Sequence, residues 1–71
     1  MQKIDHVLDI LKDGKWHAID EISKRSNLHE FKIKIIADFL AHFSFLEFDR
    51  PRMKAKLSKI FADFIRKENN N

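Results

Sequence analysis

The sequence predicts a mainly α-helical domain with one small β-hairpin: a three-helix core, the hairpin and a closing helix. Three observations point there. Apolar residues recur at helical spacing in four separate segments. Two short β-prone stretches flank the turn sequence Asp49-Arg50-Pro51-Arg52. The only glycine, Gly14, and the only proline, Pro51, fall between these segments and not inside them.

Ile4, Val7, Leu8 and Leu11 follow the i, i+3, i+4, i+7 spacing that predicts a first helix over 2–12, ended by Asp13-Gly14. Lys15-Trp16-His17 reads as a short extended segment. A second helix over 18–26 turns Ile19 and Ile22 inward and carries Asp20 and Glu21 in its first turn, where the helix dipole favours acids. Ser26-Asn27-Leu28 reads as a tight turn, with Asn27 and Glu30 as N-cap and capping box of a third helix over 28–43. Its inner stripe is Ile33, Ile36, Ala37, Leu40 and Phe43, flanked by Phe39. Residues 45–48 form the first hairpin strand. In the second, Met53, Ala55 and Leu57 alternate with Arg52, Lys54 and Lys56, which gives the hairpin one apolar and one basic face. Ser58 is the N-cap of a last helix over 59–67 with Ile60, Phe61, Phe64 and Ile65 as its apolar residues.

The 71 residues make one domain, over 1–68, with a frayed polar tail at 69–71. A chain of this size buries only about 60% of its unfolded surface, so its core is marginal. The absence of cysteine excludes disulfides and thiolate metal sites. Tight packing or self-association is left, and seven Phe residues serve either. No apolar run is long enough to span a bilayer, and the N-terminus lacks a signal-peptide core, so the protein is read as soluble, cytoplasmic and without a membrane partner.

The net charge of +3 is unevenly placed. Residues 1–49 hold seven basic and nine acidic side chains, whereas 50–59 hold Arg50, Arg52, Lys54, Lys56 and Lys59 with no acid. A local field of that kind attracts polyanions whatever the total charge.

The residues also resemble a known family. "DGKWHAIDEISKRSNL" looks like the first strand, second helix and turn of a winged helix-turn-helix domain of the small archaeal and bacterial type. "FKIKIIADFLAHFSFLEFD" resembles its third helix running into the wing, and "MKAKLSKIFADFI" its second wing strand and closing helix. Ala18 departs from the family's usual Ser or Thr cap, and Ser44 from its common Gly. The resemblance implies duplex DNA as partner and a role in transcription regulation. Carried over by position, it implies DNA contacts by His29, Lys32 and Lys34 on the third helix and by Arg50, Arg52 and Lys54 on the wing. Lys24 and Arg25, at the end of the second helix, fall within reach of phosphate.

The outward face of the third helix reads differently. Phe31, Ile35, Asp38 and His42 share it, and an exposed Phe–Ile pair favours a protein partner over base edges. Phe31 folded under the turn as core is the other reading. Trp16 is expected to pack under the hairpin. The four histidines lack metal-ligand spacing, and no nucleophile–base set or Gly-rich phosphate loop exists, so neither metal, cofactor nor catalysis is expected. A homodimer is expected through Ile60, Phe61, Phe64 and Ile65 of the last helix, with Ile10 of the first.

Overall fold

Helical periodicity places the first buried side chains. In α1 (Gln2–Leu11), Val7, Ile10 and Leu11 are buried. The Gly14 N–H closes the helix on the Leu11 carbonyl at 3.1 Å, with Gly14 at φ +75°, a conformation glycine adopts without a Cβ clash. The burial of Ile10 corrects the expectation that it lies on a dimer surface beside the inner stripe: a third apolar residue per two turns widens the buried face of a core helix. The computed structural model describes residues 2–69.

Next come β1 (His17–Ala18) and α2 (Ile19–Ser26), whose Ile19, Ile22 and Ser26 are buried. Ala18 occupies the N-cap position without a side-chain bond, as its chemistry dictates. Asn27 does not cap the following helix. It sits at φ 59° and ends α2, while the Leu28 N–H reaches back to the Ser23 carbonyl at 3.2 Å. Asn tolerates the left-handed region, so the same residue type that suits an N-cap closes the preceding helix instead. The cap of α3 (Glu30–His42) is His29, whose ring Nδ1 accepts from the Phe31 N–H at 3.1 Å.

From α3 only Ile33 and Ala37 are fully buried, while Ile36 and Leu40 are half-buried. Phe43, expected on the inner stripe, is exposed, because the helix ends at His42 and the chain reverses there. Ser44 makes that reversal at φ 63°; its N–H donates to Ala41 and that of Phe45 to Leu40, both at 3.0 Å.

The hairpin is β2 (Leu46–Asp49) and β3 (Lys54–Leu57). β3 is the central strand of a three-stranded antiparallel sheet in the order β1-β3-β2, with His17 opposite Ala55 and Leu46 opposite Leu57. Met53, expected in the second strand, instead closes the turn at φ 53°, its carbonyl accepting from the Ile19 N–H at 2.8 Å. The last helix, α4 (Lys59–Asn69), starts on Ser58, whose Oγ accepts from the Phe61 N–H at 3.3 Å. It runs through Asn69, the first residue of the expected tail; residues 70–71 lie outside the described residues.

Leu46, Ala55, Leu57 and Ala62 complete the buried set. This core is aliphatic: none of the seven Phe residues is fully buried. Four helices and a small sheet therefore close over Val, Ile, Leu and Ala, and the aromatic rings lie at or near the surface. No helix among the described residues is long and apolar enough to cross a membrane.

Two substitutions separate core from surface on α3. Ile33→Ala empties a buried site and is expected to cost about 2–5 kcal/mol. Phe31→Ala, at a ring 64% exposed, is expected to stay within about 0.5 kcal/mol of wild type. Chemical denaturation of both variants checks the difference.

Candidate nucleic-acid interface

The candidate contacts come from three places. Lys24 and Arg25 end α2, on its solvent side. Lys24 reaches Asp20 at 3.4 Å, and Arg25 reaches Glu21 at 2.9 Å. Each pair spans one helical turn. At the start of α3, His29 uses Nδ1 as the helix cap, which leaves Nε2 for an outside partner. Lys32 is exposed and Lys34 half-buried; neither has a carboxylate within ion-pair distance among the described residues.

The hairpin supplies the third group. Arg50, Arg52 and Lys54 are all exposed. Arg50 does not stand free: its guanidinium donates to Asp38 on the outer face of α3 and lies 5.2 Å from the centre of the Phe48 ring. Arg52 reaches Asp49 at 3.8 Å, and Lys56 reaches Glu47 across the strand pair at 3.9 Å. The stretch that is purely basic in sequence is thus flanked in space by three acids. Each pair has one partner exposed and the other half-buried, and solvent-accessible pairs are worth about 0–1 kcal/mol each, so they separate at small cost. The Arg50–Asp38 contact joins the hairpin turn to the outer face of α3, making the two one surface.

Phe31 and Ile35, 64% and 53% exposed, occupy the N-terminal half of that face. This excludes the reading of Phe31 as core. Farther along, Phe39 and Phe43 continue the apolar stripe at four-residue spacing.

One placement differs from expectation. Trp16 is exposed, with the Lys56 ammonium 5.1 Å from its ring centre. Adjacent residues of an extended chain point to opposite sides, and His17 takes the inward one. The buried His17 ring is held on both nitrogens, Nδ1 with Glu21 at 2.8 Å and Nε2 with Asp13 at 3.0 Å. The sequence signal was present: acids stand four residues before and four after His17. A carboxylate on each nitrogen favours the protonated imidazole, in which both ring nitrogens donate. Burial is the largest single influence on it and pulls its pKa down, but the bonds and charges of Asp13 and Glu21 together outweigh that and hold the pKa above its ordinary value. The bond from His17, ahead of that from Arg25, holds the Glu21 carboxyl below its ordinary value. Among the described residues, no group of three or more His, Cys, Asp or Glu side chains is arranged to hold a metal ion.

No protein-family model and no curated protein matches this chain.

The His17 cluster makes stability depend on pH in a defined direction. A raised imidazole pKa contributes fully below the unfolded value of 6.5 and is lost as pH rises through the folded one. The lowered Glu21 contributes fully above its unfolded value of 4.5 and is lost as pH falls. Thermal melts from pH 4 to 9 are expected to peak between those two values and to decline on the alkaline side. His17→Gln is expected to flatten the alkaline decline; a decline of wild-type size in that variant would assign it to other groups.

Proposed function

We propose that this chain is a winged helix-turn-helix protein that binds duplex DNA, acting as a small cytoplasmic transcriptional regulator without catalytic or cofactor chemistry. The observation that carries the reading is the contact between Arg50 and Asp38. Through it, the basic hairpin and the outer face of α3 form one surface. The order of elements, with β3 between β1 and β2, supports the same assignment.

In this reading the N-terminal half of α3 enters the major groove, where the first residues of a recognition helix meet base edges. His29 and Lys32 supply donors there, with Lys34 at the flank. Phe31 and Ile35 supply apolar contact, which suits thymine methyl groups. Arg50, Arg52 and Lys54 neutralise the backbone beside the groove, and Lys24 and Arg25 reach phosphate from the end of α2. Phosphate contacts set affinity, and α3 sets register.

A second reading rests on one observation, the exposure of Phe31 and Ile35. Here the face docks an apolar protein partner, and the hairpin charge is secondary.

Titration of generic duplex DNA at two salt concentrations tests the first reading. Non-specific binding with Kd of about 10⁻⁴ to 10⁻⁶ M is expected at physiological salt, and log Kd is expected to rise with log salt with a slope of roughly 4 to 5 if four to six phosphates are neutralised. The combined Arg50→Ala, Arg52→Ala and Lys54→Ala variant is expected to fold and to lose most of that slope. Asp38→Asn is expected to tighten binding, because it releases Arg50 and removes a repelled charge. Absence of binding at low salt overturns the proposal. DNA affinity unchanged by Phe31→Ala and Ile35→Ala, with loss of a captured protein, selects the second reading.

A further inference from the structure

The aromatic residues left out of the core are not scattered. Phe39 and Phe43 meet edge to face with centroids 5.1 Å apart, and Phe43 and Phe45 stack at 6.2 Å. Phe45 and Phe61 follow at 4.7 Å, and Phe61 and Phe64 at 6.3 Å. The run passes from the C-terminal end of α3, through the turn before β2, onto α4. It walls an open groove of about 560 Å³ lined by Phe43, Ser44, Phe45, Ser58, Ile60, Phe61 and Phe64, with no charged group in the lining.

We propose that this face binds a second copy of the chain about a two-fold axis, with the α4 helices antiparallel. The first argument is area. Phe39, Phe43, Phe45 and Phe64 are each 40–63% exposed and Ile60 is 85% exposed. At about 200 Å² per aromatic side chain, the patch offers roughly 500–600 Å² of apolar surface. That is at the upper end of what a monomer leaves open, and it is most of the about 800 Å² per partner that a stable interface buries. The polar rim supplies the remainder.

The second argument is self-complementarity. A two-fold interface must fit itself. Ile60 protrudes from one wall of an uncharged groove, so Ile60 of each copy enters the groove of the other. Lys59, Ile60, Asp63 and Phe64 share the outer side of α4 at helical spacing. Antiparallel pairing centred near Ala62 sets Ile60 against the second copy's Phe64 and Lys59 beside its Asp63. Asp63 also bonds Arg66 of its own helix at 3.1 Å, so the rim of this face carries both signs.

The dimer leaves Phe31, Ile35 and the hairpin turn uncovered, because the patch begins at the other half of α3. It is independent of the DNA reading, and its test uses no DNA. Sedimentation equilibrium of the full chain from 1 to 500 µM is expected to give twice the monomer mass at the upper end. Ile60→Asp and Phe64→Ser alter exposed positions, so circular dichroism is expected to stay unchanged while the dimer dissociation constant rises about 10- to 100-fold. Lys59→Glu alone is expected to weaken the dimer, and adding Asp63→Lys to restore it. A monomer throughout the concentration range overturns the proposal, as does a dimer unaffected by Ile60→Asp and Phe64→Ser. Failure of the charge swap to restore association overturns the antiparallel pairing of α4. Flotation of a monomeric chain with phosphatidylcholine vesicles overturns the proposal in favour of a lipid surface.

Discussion

The rest of the structure depends on a short strand pairing. His17 and Ala18 lie opposite Ala55 and Lys54, and these two residues are all of β1. A two-stranded hairpin on its own is at best marginally stable in water. Here β1 supplies the third strand and ties the hairpin to the first two helices. The strand is too short to hold by ladder bonds alone. It is fixed from below by the His17 ring between Asp13 and Glu21, and at its end by the bond from Ile19 to the Met53 carbonyl. Asp13 belongs to the turn after α1 and Glu21 to the first turn of α2. One buried imidazole therefore links the turn after α1 to the first turn of α2, on a residue that also pairs with the hairpin.

A core without phenylalanine has a second consequence. Aliphatic residues fill the space between four short helices and a small sheet, with Phe48 and Phe61 packed against its edge and the other five rings exposed. The exposed rings collect along α3, the turn before β2, and α4. A single aromatic stripe then divides by position. Its first half, Phe31 and Ile35, adjoins the basic hairpin, and its second half adjoins α4. The two proposed surfaces come from one helix face for this reason, and one can be altered without touching the other.

The hairpin charge also changes meaning in three dimensions. Residues 50–59 carry no acid, but Asp38, Asp49 and Glu47 stand beside Arg50, Arg52 and Lys56 in space. The surface is thus moderated by weak, solvent-accessible ion pairs. In the proposed DNA reading, exchanging such pairs for phosphate costs little.

Much of the fold was legible in the sequence. The four helices and the hairpin follow from apolar spacing, from Gly14 and Pro51 between segments, and from Ser58 as a cap, because these signals act over a few residues. The exposed cations of the site were legible too, since charged side chains on the polar side of a periodic pattern stay in solvent. What tertiary structure alone decided was the assignment of ambiguous residues. Asn27 suits either the end of one helix or the start of the next, and chain reversal chose the end. Trp16 and His17 compete for one inward position, and the two acids that hold the imidazole ring gave it to His17. Ile10 went to the core and Phe43 to the surface, because where a helix ends and which neighbour covers it are properties of packing. The pairing of Arg50 with Asp38 joins residues twelve apart in the chain, beyond the reach of any local signal.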